Sequence, residues 1–475
     1  MQDCHRQLNR LQQYWALFFI VVTAPIVVYG LLSLLPTFDD WTYLTSPYFG
    51  NLSDIIIPVG NYWRPFDACI GAVLGLNYHW FPSLNHLIIW PAHAISAYLV
   101  FRLCRFLGFR YSISNLATLF FYLSPSMLGT VLSIDSINQT YAHFWGLLGL
   151  WLFLIHEKAL QIFFFIGCCY LATLSKENGI MWFVIIPVFA YGFGYIDKKH
   201  LLRVAGYAAV AITIYFIIRL SLPVNPLYQN EAYFDSSILH FVKNISKFIL
   251  LTFLPADYVA WFIKAPVAKL IFFLTVLLSL PLMTLIVGRQ VAHWKDKKLF
   301  TLFFCMLMAV LPHLLTLFTV MHIYASLSLF SLSIGYVLNE YKHTKYLTYS
   351  FAAFVFSALI SDIHHTQAAY QSGKTAEKMG QQAAKILAYP VKKVYSITIK
   401  EDYSGYSSFL VVPSHAFGWG SAAIHQLGYT YPNEWKDTTI QHSQVCDMPA
   451  IVNQAVKNGY EKVFLFDGEN IRLIK

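Results

Sequence analysis

Long apolar runs separated by short polar loops dominate the first 361 residues of this chain. A helix needs about 20 residues, or roughly 17 at the lower limit, to cross the hydrocarbon core of a membrane. The runs predict about eleven transmembrane helices, two of them short, at 14–35, 84–101, 113–132, 141–155, 160–174, 180–196, 203–220, 267–287, 299–320, 323–340 and 345–361. Residues 1–361 are therefore predicted to form an all-α polytopic membrane domain.

The pattern changes after residue 361, where the spacing of apolar residues alternates between that of helices and that of strands. It predicts, in order, a helix at 364–387, strands at 394–399 and 407–412, a helix at 449–460 and a hairpin at 462–474. A segment of this length suffices for one small domain. We therefore expect residues 362–475 to form a soluble α/β domain. It carries no phosphate loop and no nucleophile motif of its own.

The distribution of charge predicts how the chain is oriented in the membrane. The chain is 57% hydrophobic and 12% charged, with a mean hydropathy of +0.52 and a net charge of +9. Most Lys and Arg residues before position 361 fall in alternate loops, which the positive-inside rule places in the cytoplasm. The N-terminus is then cytoplasmic and the C-terminal domain extracytoplasmic. Anionic membrane lipids account for the basic loops, so no nucleic-acid partner is predicted.

The same rule assigns the segment 238–257, which is long enough to be a further span. Making it one would move the basic segment 288–298 to the outside. We therefore predict an amphipathic helix on the outer surface, with Lys243 and Lys247 on its polar side. The low cysteine use, 7 residues, and the compact C-terminal domain favour a bacterial inner membrane.

The first outer loop, 36–83, carries the first candidate residues. Asp39 and Asp40 follow the first span directly, where charge is costly and tends to be functional. They are candidates for a general base, although they could also simply end the helix in solvent. Arg64, in the stretch that begins with Asn61, could bind phosphate oxygens in a bidentate manner. Its alternative role is an interfacial arginine that reaches the lipid headgroups.

Later outer loops add further candidates. Asp135 is a second possible acid, or else a helix cap. Lys176 and Glu177 lie between two short spans, where they could pair with each other, or Lys176 could bind a phosphate. His322 and Tyr324 lie at the membrane edge near the last outer turn. No pattern has the spacing of zinc ligands, so no metal site is predicted, and a requirement for a divalent metal stays open.

These motifs resemble those of the GT-C superfamily of polytopic glycosyltransferases. Four stretches carry the resemblance, which covers roughly residues 15–360: FDDW at 38–41, NYWRPF at 61–66, LSKENGI at 174–180 and HIYAS at 322–326. The last three resemble elements of the protein O-mannosyltransferase-like branch, which includes the tetratricopeptide-repeat transmembrane mannosyltransferases. Two positions depart from the family pattern: His322 stands where an Arg is usual, and Gln139 where an acid is frequent. No tetratricopeptide repeats follow the membrane domain.

The resemblance implies an inverting glycosyltransferase that moves a hexosyl or pentosyl group from a polyprenyl-phosphate donor to a hydroxyl acceptor on the outer side of the membrane. The acceptor could be a protein, a lipid or a glycan. Such a reaction needs a base for the acceptor hydroxyl and positive charge near the departing phosphate. The family more often uses the first acid of the pair, which makes Asp39 the preferred base. Asn61, Arg64, Asp135, Lys176, Glu177, His322 and Tyr324 would bind the substrate and its phosphate.

A membrane transporter or lipid flippase is the alternative. Such proteins generally place ionisable groups near the middle of their spans. In this chain the predicted spans hold almost no charged residues, and the acids gather near the predicted outer edge. His86, His93 and His313 are the main polar exceptions, and we expect each to be a hydrogen-bonded packing residue.

Overall fold

The protein is described by a computed structural model. It describes residues 13–37, 39–41, 43–44, 63–78, 80, 84–124, 127–222, 235–253, 270, 274, 277, 284, 287–289, 291–293, 295–316, 318, 320–340, 345–387, 391–400, 434–468 and 470–475. Three predicted features lie outside these residues: the substrate-binding residue Asn61, most of the span 267–287, and the strand 407–412.

Helices form most of the described chain. Their bounds are α1 Trp15–Ser33, α2 Pro65–Asn77, α3 Leu84–Leu87, α4 Ile89–Phe106, α5 Tyr111–Leu123, α6 Leu128–Val131, α7 Ile137–Ile155, α8 Lys158–Ser175, α9 Trp182–Gly192, α10 Lys198–Ser221, α11 Ile238–Phe253, α12 Lys297–Leu314, α13 Tyr324–Glu340, α14 Lys345–Ile386 and α15 Met448–Lys457. Short 3-10 turns lie at Glu177–Met181, Val320–Ile323 and His442–Asp447. The prediction of a mainly helical chain with a small C-terminal sheet is confirmed.

Four helical segments in the described part of the chain are long and apolar enough to cross a membrane: Trp15–Ser33, Lys198–Ser221, Lys297–Leu314 and Met321–Glu340. Local chemistry explains where two of them begin. The Asp197 carboxylate accepts a hydrogen bond from the amide of His200, and Asp296 accepts from the amides of Lys298 and Leu299, so each acid caps a helix. These helices fit an integral membrane protein. The number of spans and their orientation stay predictions.

Loops that the sequence assigns to the inner face contact one another. The amide of Arg110 donates to the side-chain oxygen of Asn339 at 3.0 Å. The hydroxyl of Tyr336 donates to the carboxylate of Asp296 at 2.7 Å. These contacts join the loop after α4, the segment before α12 and the end of α13. They agree with the predicted alternation of the loops.

Helix α11 has the amphipathic character predicted for 238–257. Its Phe241, Ile245 and Phe248 pack on the end of α12, and the Asn244 amide donates to the carbonyl of Leu314 at 2.9 Å. Its opposite side is exposed and includes Ile238, which is 82% exposed. The helix therefore lies on the surface of the bundle, and these apolar contacts and the buried Asn244 hold it there.

Helix α14 is the longest element, with 42 residues. At 1.5 Å per residue it is about 63 Å long, roughly twice the thickness of a hydrocarbon core. It starts where the last span was predicted, at residue 345, and continues without a break through the predicted domain boundary at 361. Gly373 packs against the backbone and Cβ of Leu35, just before the two acids. The second half of α14 therefore lies beside the end of the predicted first span, where the first outer loop begins.

The C-terminal sheet has strands β1 Lys393–Lys400, β2 Glu434–Gln441, β3 Lys462–Phe466 and β4 Ile471–Leu473, in the order β2-β1-β3-β4. Strand β1 is parallel to β2 and β3, and β3 and β4 form the predicted antiparallel hairpin. Gly468, at φ 96°, supplies the left-handed residue of its turn. Phe464 and Phe466 join the core formed with α14, where the Gln382 side chain accepts from the amide of Ile471 at 3.1 Å.

The sequence analysis missed strand β2. It reads EWKDTTIQ, and most of its side chains are exposed. It lies at one edge of the four described strands, most of its side chains are exposed, and no apolar alternation marks it. Its parallel pairing with β1 supplies the stability that its own sequence does not signal.

Candidate functional site

Three segments from the predicted outer loops meet at one polar cluster. The Arg64 guanidinium donates from Nε to Glu177 Oε2 at 2.8 Å, and the amide of Trp63 donates to Glu177 Oε1 at 3.1 Å. Both oxygens of Glu177 therefore hold the first outer loop against the third. The sequence left open whether Lys176 and Glu177 pair with each other; Glu177 pairs with Arg64.

Asp40 joins the second outer loop to the first. Its side chain is fully buried. Oδ2 accepts from the amide of Thr37 at 3.1 Å, and Oδ1 accepts from the Ser133 hydroxyl at 3.0 Å and the Asp135 amide at 3.1 Å. The ring of His86 lies 3.8 Å from Oδ2. With both oxygens engaged, Asp40 is well placed to fix the loops and poorly placed to accept a further proton.

Asp39 precedes Asp40 and is half-buried. It is therefore the less enclosed of the two acids, and its position leaves the preference for Asp39 as the base intact. That role stays a prediction.

Asp67 is a cluster residue that the sequence analysis did not single out. It lies in the first turn of α2, three residues after Arg64, and is buried. The Tyr43 hydroxyl donates to Oδ1 at 2.9 Å, and the Asn138 amide lies 3.4 Å from Oδ2. Burial raises the pKa of Asp67 to about 7, against the lowering effect of Arg64. Spacing could have revealed it, because residues three apart share a helix face.

Lys176 is the second cation of the cluster. Its side chain is buried, at 8% exposure, and among the described residues its ammonium has no hydrogen-bond or ion-pair partner. Burial, and then repulsion by Arg64, lower the pKa of Lys176 to about 8, while Asp135 and Glu177 oppose this shift. A buried, unpaired ammonium is costly and tends to mark a binding site for an anion.

Asp135 lies close enough to Lys176 and Asp40 to interact with both electrostatically. Its amide binds Asp40, as above, and Asn138 donates to its backbone carbonyl at 2.6 Å. Its carboxylate makes no hydrogen bond within the part of the chain that the structure describes. Burial raises the pKa of Asp135, and the nearby Asp40 adds to the effect while Lys176 counters it. Among the described residues the Asp135 side chain makes no capping hydrogen bond, so the alternative role as a helix cap finds no support, and its role as a second acid stays a prediction.

Two stacked histidines lie beside the third loop. The rings of His313 and His322 are 4.1 Å apart between centroids and nearly parallel. Asn178 Nδ2 lies 3.0 Å from His313 Nε2, which connects the pair to the loop that carries Lys176 and Glu177. The structure therefore brings His322 to the edge of the cluster.

Tyr324 lies deeper in the bundle. It is fully buried, and its hydroxyl hydrogen-bonds His93 Nδ1 at 2.9 Å. His93 also binds the carbonyl of Tyr122 at 3.2 Å, so it is the hydrogen-bonded packing residue that was expected. The position of Tyr324 favours a supporting role, and substrate binding by this residue stays a prediction.

The cluster can therefore bind an anion and hold a proton acceptor near it. Arg64 and Lys176 supply the positive charge, and Asp39, Asp67 and Asp135 supply carboxylates at the same end of the bundle. Within the described ranges, no group of three or more His, Cys, Asp and Glu side chains is arranged to hold a metal ion.

Comparisons with known proteins give likenesses of overall structure only. No protein-family model and no curated protein matches the sequence. ArnT from Cupriavidus metallidurans bound to undecaprenyl phosphate is 12% identical, with a TM-score of 0.47 over 95% of this chain and 93% of that one. The Archaeoglobus fulgidus oligosaccharyltransferase in the apo form is 13% identical, with a TM-score of 0.46 over 95% and 69%. With TM-scores below 0.5, neither carries the functional argument, which rests on the residues of the cluster.

Proposed function

We propose that this protein is a membrane glycosyltransferase that transfers a sugar from a polyprenyl-phosphate donor to a hydroxyl acceptor. The observation that carries the proposal is the buried, unpaired Lys176 ammonium beside Arg64. An anion that enters the cluster would replace the solvation that Lys176 has lost. A lipid phosphate is the anion that suits a site built where apolar helices end.

Arg64 and Lys176 would act on the phosphate in different ways. Glu177 already orients Arg64, so its guanidinium is held in place before the donor binds. Lys176 has no hydrogen-bond or ion-pair partner among the described residues, so its ammonium can donate hydrogen bonds to the phosphate oxygens. Positive charge that is fixed in advance stabilises the negative charge that grows on a leaving group.

The proposed reaction is a single displacement. A carboxylate, preferably that of Asp39, takes the proton of the acceptor hydroxyl while the oxygen attacks the anomeric carbon. The bond between this carbon and the phosphate oxygen breaks, and its electron pair leaves with the polyprenyl phosphate. One displacement inverts the anomeric centre, in contrast to the two-step reaction of retaining glycosidases.

A panel of radiolabelled polyprenyl-phosphate sugars tests the proposal. Purified protein in lipid nanodiscs should consume at least one of these donors, with transfer of the label to an added hydroxyl acceptor or slow release to water. Lys176→Met should reduce consumption. Failure of the wild-type protein to bind or consume any donor would reject the proposed function.

The pKa of Lys176 predicts a pH dependence of donor binding. The ammonium is charged below its pKa of about 8, so affinity for undecaprenyl phosphate should be highest below this pH. It should fall as the pH rises through 8, by at most about tenfold per pH unit. Binding measured between pH 7 and 9.5 keeps the phosphate ionised throughout, because its second pKa is about 6.

Lys176→Arg provides the matched control for this profile. Arginine stays protonated over the whole range, so the variant should bind with little dependence on pH. A wild-type affinity that stays constant from pH 7 to 9.5, or an arginine variant with the wild-type profile, would show that Lys176 does not bind the phosphate.

A further inference from the structure

A small cavity lies directly behind the cation cluster. It has a volume of about 10 Å³, roughly the space of one water molecule. Gln139, His143 and Asn178 provide its polar wall, and Trp182 closes one side; the other lining residues are apolar or glycine. Asn178 follows Glu177, and Gln139 follows Asn138, so the cavity and the cluster share two chain segments.

Several polar atoms that line this cavity lack partners among the described residues, although Asn178 Nδ2 lies 3.0 Å from His313 Nε2. Among the described residues, the Oε1 and Nε2 atoms of Gln139 and the Oδ1 atom of Asn178 have no hydrogen-bond partner. Both ring nitrogens of His143 also lack one, although the ring lies near the carbonyl of Ala325. Gln139 is only 1% exposed and His143 2%. Buried polar atoms without partners are rare and point to a missing ligand or water.

Close packing holds the walls of the cavity in place. Gln139, His143 and Gly146 are spaced four and three residues apart and lie on one face of α7. The Trp182 indole packs directly on Gly146, where any Cβ would overlap it. At Gly179 a Cβ would overlap the backbone of Ala172. These two contacts leave no room for larger residues, so the glutamine and the indole keep their positions.

The chemistry of the cavity selects its ligand. The described side chains that line it include no charged group, and its amides and imidazole can both donate and accept hydrogen bonds. An alcohol group has the same dual capacity and the size of a water molecule. A charged ammonium or carboxylate would find no counter-ion there.

We infer that this cavity receives a hydroxyl group of the sugar that the lipid phosphate carries, and that this sugar is uncharged. The inference rests on the proposed function, because the phosphate on Lys176 and Arg64 places the sugar beside Asn178. The hydroxyl would replace a water molecule and bind Gln139 and Asn178. Gln139 thereby contributes to the choice of sugar, at the position where the resembled family frequently has an acid.

Binding measurements without an acceptor test this inference. The probes are undecaprenyl phosphate, its glucose, mannose, galactose, aminosugar and uronic acid conjugates, and monodeoxy analogues of the neutral conjugate that binds best. In the wild type, the conjugate should bind more tightly than the bare phosphate. One deoxy analogue should bind with about tenfold lower affinity than the conjugate, which is the upper range for the loss of one hydrogen bond. Gln139→Leu should remove this discrimination while affinity for bare undecaprenyl phosphate stays unchanged.

Gln161→Leu is the matched control. Gln161 is also buried, but its amide donates to the carbonyl of Phe153 at 2.9 Å, and it does not line the cavity. Gln161→Leu should lower the melting temperature without affecting sugar discrimination. Gln139→Leu should not lower the melting temperature, since it removes two polar atoms that have no hydrogen-bond partner among the described residues.

The outcomes separate the two proposals. The wild type could bind undecaprenyl phosphate while Gln139→Leu leaves the affinity for every sugar conjugate unchanged. In that case the cavity holds water only and the inference is wrong, while the proposed function stands. Preference for an aminosugar or uronic acid conjugate would also overturn it. If the wild type does not bind undecaprenyl phosphate, both proposals fail.

Discussion

Asp39→Asn should abolish sugar transfer while the protein folds and binds its donor normally. The substitution removes the base but keeps the size and polarity of the side chain. General base catalysis contributes about 10²–10⁴-fold, so turnover should fall at least by the lower figure. Steady-state transfer rates, donor affinity and melting temperature, measured together, show whether the loss lies in the chemical step.

Asp40→Asn is the internal control for this result. Asp40 accepts hydrogen bonds on both oxygens, and an amide nitrogen at either position would face a donor. The variant should therefore lose stability, and turnover should fall less than in Asp39→Asn. If both single variants and the double variant keep wild-type turnover, the pair has no catalytic role. Loss of turnover in Asp67→Asn alone would then identify Asp67 as the base.

Lys176→Met should reduce both donor affinity and the rate of transfer, with a combined loss of about 10²–10³-fold in kcat/KM, as for removal of one electrostatic contact to a transition state. A phosphate gains from this charge before and during bond breaking, so KM should rise and kcat should fall. The fold should not suffer, because the substitution removes a buried charge that has no hydrogen-bond or ion-pair partner among the described residues. Melting temperatures and transfer kinetics measure these effects.

Lys243→Met is a suitable control for Lys176→Met, because Lys243 is exposed on α11. It should leave kinetics and stability unchanged. Equal kinetic losses in the two variants would mean that the effect comes from net charge rather than from the cluster. A sharp loss of stability in Lys176→Met, with normal donor affinity, would mean that Lys176 supports the fold instead.

The sequence predicted the elements that carry strong periodic signals. Helices α1, α10, α12 and α13 begin and end within six residues of their predicted bounds, because their apolar runs are long. The β3–β4 hairpin was also predicted, because Asp467 and Gly468 suit its turn. Strand β2 was missed because an exposed edge strand has no apolar alternation. The sequence predicted a membrane span at 345–361 and a separate soluble helix at 364–387, because the first stretch is apolar and the second is amphipathic. The structure joins them in the single helix α14.

Parts of the candidate site were predictable and parts were not. Motif order placed Arg64, Lys176 and Glu177 on one side of the membrane, and the structure brings them together. Which of the two cations Glu177 would bind could not be read from the sequence, since that depends on packing between distant loops. The difference between Asp39 and Asp40 likewise depends on Thr37, Ser133 and Asp135, whose approach to Asp40 only the fold reveals.

Helix α14 connects the C-terminal sheet to the segment that carries the two acids. It is one continuous helix that contacts Leu35 at Gly373 and hydrogen-bonds β4 through Gln382, nine residues further along. At 1.5 Å per residue these two contacts are only about 14 Å apart along the helix axis. Any molecule that the sheet binds is therefore held at a short, fixed distance from Asp39 and Asp40, and a flexible insertion between Gly373 and Gln382 would remove that constraint.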